Sequence, residues 1–238
     1  MPAMRFELVG EKRGYHRSNS TETRTSGTRR TRKTCCRGHL HDGNIGRVDE
    51  QTLTDGTVWL DRPLPDDIDA IVEACQDPAI AEWVTIPWPY GRADAEEFIG
   101  ATVADGWATR SPIWAVRTAE RGRLLGTVSL GTRPRDETAA EIGFWLHPDY
   151  RRKGLMSRAV ALTCDFGFDP AGMGLIRIHW RAYVGNHASA ALARTHGFRY
   201  EGLARLGSDH RGTRRDHWVA ARLNTDPPGP AGGWPAGV

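Results

Sequence analysis

Between residues 140 and 160 the chain reads AEIGFWLHPDYRRKGLMSRAV, with three consecutive cations, Arg151, Arg152 and Lys153, set directly before Gly154. The first half alternates. Ile142, Phe144 and Leu146 fall on one side and Glu141, Gly143 and Trp145 on the other, the two-residue period of a strand. His147-Pro148 stops that strand. Beyond Gly154 the apolar positions are 155, 156, 159, 162, 163 and 166, counting Thr163 as half-apolar, which is helical spacing. A strand, a short basic turn with a glycine and an opening helix together form an anion site. Unpaired backbone N–H groups and the positive end of the helix dipole converge there, and Gly154 lets the backbone come close. A diphosphate suits such a site; a solvated basic turn capping an ordinary helix is the alternative. A second patch, Asn186-His187-Ala188-Ser189, opens another helix that ends at His196-Gly197-Phe198, with Gly197 as its stop.

Elements must hold these two patches together, and the periodicity supplies them. It predicts a short strand at Thr57–Leu60, a helix at Pro65–Ala74 and a Trp/Pro-rich loop holding Trp83, Trp88 and Tyr90. A second helix, about 92–107, follows. Strands are expected at Ile113–Thr118, Leu124–Leu130 and Ala140–Leu146, then a helix at 154–168, a strand at 175–183 and a helix at 187–196. Two more strands lie near 198–206 and 215–223. Hairpins first, then strand–helix alternation, reads as α+β.

The flanks differ from this folded part, 51–225. The whole chain has 32 Lys/Arg against 29 acids, a net +3. Residues 1–47 carry 11 cations against 4 acids, or +7, which leaves the remainder at −4. Residues 17–34 contain no apolar side chain, so the 1–50 arm is expected to be disordered. The 226–238 tail, Pro or Gly at eight of thirteen positions, is expected to be loose as well. The arm's cations suit weak contact with RNA, or the arm is an inert extension. A third reading starts translation near Val48. No apolar run is long enough for a membrane span, and no apolar segment of a secretory signal follows the N-terminal charges. The four cysteines, Cys35, Cys36, Cys75 and Cys164, lack metal-ligand spacing, and the histidines are scattered, so a metal site is not expected. Cys164, near the apolar side of helix 154–168, is read as core. These features place the protein in the cytoplasm, away from membranes, as a monomer or homodimer.

Taken together, 51–225 resembles the GCN5-related N-acetyltransferase (GNAT) superfamily. Arg151-Arg152-Lys153-Gly154-Leu155-Met156 is similar to its acetyl-CoA signature, departing at Met156, where Gly or Ala is usual. Met156, the phrase Glu141 to Leu146, Asp61-Arg62-Pro63-Leu64 and Trp88-Pro89-Tyr90 resemble its Rim-type branch, which includes ribosomal-protein N-terminal acetyltransferases. The resemblance implies a mixed, mostly antiparallel central sheet flanked by helices. It implies that backbone groups at Leu146 and His147 meet the pantetheine and acetyl carbonyl of acetyl-CoA. By the same resemblance, the amides of Arg151, Arg152, Lys153, Gly154, Leu155 and Met156 hold its pyrophosphate, and Asn186 binds the pantetheine arm. The thiolate-protonating Tyr of many members is here Ala193; Ser189 takes the position proposed in the Rim-type branch.

The chemistry is consistent with this. An attacking amine must be neutral, and an α-amino group titrates near about pH 8, so little basicity is required of the protein. Glu141 is the candidate base, directly or through water; a strand carboxylate on a solvated face is the other reading. Ser189 is the candidate acid, or plain support for its helix. The expected reaction is acetyl transfer to a primary amine, a protein N-terminal α-amino group first. A small-molecule amine, such as an antibiotic or polyamine, and a non-catalytic CoA- or RNA-binding module are the alternatives.

Overall fold

Backbone pairing in the protein, a computed structural model describing residues 50–133 and 135–238, builds one eight-stranded sheet. The expectations placed on residues 1–49, RNA contact included, lie outside the described residues. Four antiparallel strands come first, as two hairpins with the first helices between them: β1 (Leu53–Thr54) and β2 (Trp59–Asp61), then β3 (Ile113–Arg117) and β4 (Gly126–Arg133). Then follow β5 (Asp136–Leu146), β6 (Arg177–Tyr183), β7 (Arg199–His210) and β8 (Thr213–Leu223). The order is β1-β2-β3-β4-β5-β6-β8-β7, and every pairing is antiparallel except β5–β6. The mixed, mostly antiparallel sheet expected from the resemblance is therefore present.

Helices cover both faces. Register puts Ala115, Thr127 and Trp145 on one side of the sheet and Val128, Leu130 and Phe144 on the other. α5 (Leu155–Phe168) lies on the second side, where Gly167 fits so closely that an added Cβ would stand 3.0 Å from both Leu130 and Ile178. α6 (His187–Thr195) follows β6 on that side. The first side carries α1 (Ile68–Ala74), α2 (Pro78–Trp83), α3 (Arg92–Glu97) and α4 (Ala104–Ala108), the last two joined by π-helical turns at Phe98–Val103. The 92–107 helix thus exists but is distorted midway, a change of pitch common near functional sites.

Two expectations fail here. α2 forms inside the stretch read as loop. Asp77 caps it by accepting the Ala79 N–H at 3.0 Å, and Pro78 sits at its first turn, the favoured place for proline. Six residues are too few for a helical period to show. The 226–238 tail is not loose either. It has no regular element, yet Trp234 donates to the Phe198 carbonyl at 2.9 Å and packs beside Trp180 and Tyr200, while Ala231 N–H bonds the Arg194 carbonyl at 2.9 Å. One aromatic ring anchors a segment whose composition alone reads as unstructured.

The first side is locked by Arg117, 3% exposed. Its guanidinium donates to Asp61 at 2.7 Å, to both Asp67 oxygens at 2.7 and 2.8 Å, and to the Gly122 carbonyl at 2.6 Å. Burial raises the Asp61 carboxyl above its usual range, and Arg117 opposes that shift. Removing the cation would leave two largely buried carboxylates without a counter-charge. We expect Arg117→Ala to cost about 3–5 kcal/mol in chemical denaturation; a loss below about 1 kcal/mol would contradict the buried network.

Candidate active site

β5 and β6 pair through three residue pairs only: Ala139–Arg177, Ala140–Ile178 and Glu141–His179. Both strands continue, to Leu146 and Tyr183, without pairing again. They diverge into a wedge. On its other edge β5 stays paired to β4 as far as Gly126–Leu146, and the His147 N–H donates to the Leu125 carbonyl at 2.8 Å. Antiparallel alternation then turns the backbone groups of Phe144 and Leu146 away from β4 and toward the wedge. The His147 amide faces the opposite way, into the sheet.

A cavity of about 1080 Å³ occupies the wedge. Nine of the eleven residues singled out in the sequence line it: Glu141, Leu146, Arg151, Arg152, Gly154, Leu155, Met156, Asn186 and Ser189. His147 and Lys153 do not. The His147 imidazole accepts the Asp149 N–H at 3.2 Å, and the Lys153 ammonium lies 5.1 Å over the Tyr150 ring.

The basic turn is built by its backbone. Arg152 and Gly154 take φ of +62° and +75°, and Gly154 caps α5. A Cβ built on Gly154 would meet nothing within 4 Å, so the helix start faces open space. The first i→i−4 bond of α5 runs from Arg158 N–H to the Gly154 carbonyl at 3.1 Å, which leaves the amides of Leu155, Met156 and Ser157 unused by the helix. The Leu155 and Met156 side chains are buried, so these residues can offer only their amides.

Arg151 departs from expectation. Its Nε donates to the Leu146 carbonyl at 3.0 Å and a terminal nitrogen to Asp77 at 2.5 Å, so its guanidinium ties α2 to the end of β5 instead of facing an anion. Arg152 makes no ion pair among the described residues.

The second patch sits across the wedge. Asn186 Oδ1 accepts the Ser189 N–H at 3.2 Å and caps α6, leaving its side-chain NH₂ available. Ser189 Oγ accepts the Trp180 indole N–H at 3.0 Å. Glu141 lies on the α1–α4 side. It is not a solvated strand carboxylate: an Arg181 nitrogen stands 3.0 Å from one of its oxygens and 2.8 Å from the other.

The sequence reading missed His217. It is buried, lines the same cavity, and holds Nδ1 2.9 Å from Ser208 Oγ. Burial and then Arg181 push its pKa below the usual imidazole value. Trp83 also lines the cavity, but Tyr90 is buried in the core and Trp88 is exposed beside Arg211. Among the described residues no group of His, Cys, Asp or Glu is placed to hold a metal ion, and no helix is long and apolar enough to cross a membrane. Cys75 and Cys164 are both buried, which pushes their thiols up to about 12.

A family model described as Acetyltransferase (GNAT) domain matches residues 58–199. The chain is 36% identical over 114 residues to the "Probable N-acetyltransferase YjcK" of Bacillus subtilis (strain 168), covering 48% of this chain and 62% of that protein. Two further curated relatives are covered over 57% and 51% of their lengths, so the chain matches roughly half to two thirds of each of the three. Among solved structures, apo RimL, titled a ribosomal L7/L12 alpha-N-protein acetyltransferase, superposes with a TM-score of 0.64 at 18% identity, covering 75% of this chain and 97% of that one. The microcin C7 self-immunity acetyltransferase MccE, in complex with acetyl-CoA and AMP, superposes with a TM-score of 0.62 at 19% identity, covering 71% and 93%. Both likenesses show the fold.

The buried and half-buried imidazoles carry a consequence for stability. Burial is the largest cause lowering the pKa of His179, His196, His210 and His217. Below about pH 6.5 the unfolded chain takes up protons that these sites resist, so stability falls as the pH drops. We expect the melting temperature to fall steadily from pH 7.5 to 5.5, and His217→Gln to flatten that slope in the same thermal scans. A level profile would contradict this.

Proposed function

This chain belongs to the GNAT acetyltransferase family, and from that premise we propose that it is an acetyl-CoA-dependent N-acetyltransferase of the Rim-type branch, acting on a protein N-terminal α-amino group. The wedge between β5 and β6 carries this reading, because it combines unpaired strand backbone, an open helix start and a hydroxyl donor in one cavity.

The residues fit an acyl-CoA. The amides of Leu155, Met156 and Ser157 and the flanking Gly154 turn would hold its diphosphate, with Arg152 the nearest uncommitted cation. The Phe144 backbone, the Leu146 N–H and the Asn186 amide would hold the pantetheine arm, offering donors and an acceptor as a strand edge does. The acyl-CoA supplies an activated thioester carbonyl. The chain's own groups do the rest. A wedge N–H can stabilise charge on the carbonyl oxygen, as any oxyanion donor does. Glu141, fixed by Arg181, takes the amine proton directly or through water. As the C–N bond forms and the C–S bond breaks, Ser189 gives its proton to the departing sulfur and is reprotonated from solvent, while Glu141 releases the amine proton to solvent, so that overall one proton passes from nitrogen to the thiol.

The acceptor side suits a polar chain. The cavity wall there carries the hydroxyls of Ser111, Thr127, Ser129 and Thr132, and of its carboxylates Glu141 is held by Arg181. A peptide backbone would find hydrogen-bonding partners among these groups. RimL is titled a ribosomal α-N-protein acetyltransferase, and its fold likeness supports the same reading.

We expect thiol release from acetyl-CoA to rise with peptides bearing a free α-amino group and not with N-blocked peptides, aminoglycosides or polyamines. Stimulation by the latter two alone would replace the acceptor assigned here. For the diphosphate cradle, Gly154→Asp and Gly154→Asn tolerate the left-handed backbone similarly but differ in charge. Calorimetry should show CoA affinity falling about 100-fold more with Asp than with Asn, as expected for a like charge at close range. Equal losses would refute the cradle.

A further inference from the structure

Ser189 can donate to a ligand only if its hydroxyl proton is kept off the protein. A serine hydroxyl has one donor and two acceptor lone pairs, and within a helix it commonly turns back to bond the carbonyl one turn earlier. For Ser189 those carbonyls belong to Gly185 and Asn186, which already accept the His187 N–H at 2.9 Å and the Ala190 N–H at 3.1 Å. The Oγ instead accepts the indole N–H of Trp180 at 3.0 Å, and no acceptor takes its own O–H among the described residues. Trp180 is 1% exposed. Its ring is backed by Trp234, with centroids 5.6 Å apart, and Trp234 is anchored in turn by its bond to the Phe198 carbonyl.

We propose that Trp180 is a positioning residue for acyl transfer: its indole N–H fixes the Ser189 oxygen so that the hydroxyl proton points into the wedge, and the C-terminal segment holds the indole in place through Trp234. This rests on the reading of Ser189 as the donor to the departing sulfur. An indole N–H can only donate, so it fills a lone pair and never competes for the hydroxyl proton. Without it the Ser189 hydroxyl is free to rotate, and the cavity loses an oriented donor although Ser189 itself is unchanged. The role is independent of the bulk of the ring, which Phe largely preserves.

The test compares Trp180→Phe, Ser189→Ala and the double variant, using acetyl-CoA with a pool of synthetic peptides bearing free α-amino groups. We expect Trp180→Phe to lower kcat about tenfold, the scale of one lost oriented hydrogen bond, with KM for acetyl-CoA and the melting temperature little changed. Ser189→Ala should lower kcat at least as much, and the double variant should be no slower than Ser189→Ala, because both changes remove one device. Trp234→Ala should reproduce the Trp180→Phe defect in part. If Ser189→Ala slows turnover and Trp180→Phe does not, the positioning role is overturned and the donor role stands. A double variant slower by the product of the two defects makes Trp180 merely structural and also overturns it. If Ser189→Ala leaves kcat unchanged, or the wild-type chain acetylates none of the peptides, the functional reading itself fails and takes this proposal with it.

Discussion

The early end of the β5–β6 ladder governs the rest of the structure. Buried backbone groups must find partners, and an unpaired strand edge inside a sheet normally closes on its neighbour. Here each wall of the wedge is held from its outer side. β5 is paired along its length to β4, and β6 is paired to β8 at every residue from Arg177 to Tyr183. Neither strand can rotate toward the other without breaking those ladders. The wedge is therefore rigid as well as open, and its free N–H and C=O groups form a strand-like template for a ligand that can alternate donor and acceptor.

Charge serves mainly to hold elements around that opening. Arg117 ties the end of β2 to the start of α1, Arg151 ties α2 to the end of β5, and Arg181 fixes Glu141 across the one parallel pairing. Arg215 lies between the Trp83 and Tyr183 rings and pairs with Glu82, drawing the β7–β8 hairpin over the cavity mouth. In the proposed reading, anion binding is left chiefly to the backbone at the α5 start. That division is physically reasonable, because amides held at a helix end are oriented in advance whereas a long cationic side chain must be immobilised.

The sequence exposed what depends on local periodicity and turn chemistry. The Ile142-Phe144-Leu146 alternation, Gly154 and the Asn186 cap were readable, and with them the strand, the turn and the helix starts that line the cavity. What escaped depends on which side of a strand faces which neighbour. β6 does alternate, Arg177, His179 and Arg181 against Ile178, Trp180 and Ala182, but that pattern does not say that the Trp180 indole meets Ser189 on the next helix. His217 lies on a strand with no clear polar–apolar alternation, and only the β6–β8 register, with Tyr183 opposite His217, assigns its side. The Arg151–Asp77 pair spans 74 positions in the chain, and no local pattern predicts a contact at that range. The tail misled for a related reason: its order comes from Trp234 docking on residues distant in sequence, against which Pro/Gly composition carries no information.

The loss of the tyrosine common in the superfamily also has a packing cause. Ala193 is 2% exposed, and its carbonyl accepts the Phe198 N–H at 3.1 Å, so this turn of α6 is pressed into the core where a phenol would not fit. Ser189 lies one turn earlier on the same side of the helix, at positions i and i+4. That places Ser189 at the end of α6 that borders the wedge, where the helix dipole is positive and would favour negative charge on a ligand, as the proposed donor role needs. Glu141 stands on the opposite side of the sheet, reached through the same opening. Glu141 and Ser189 thus approach the gap between β5 and β6 from opposite faces of the sheet, which is the arrangement the proposed transfer requires.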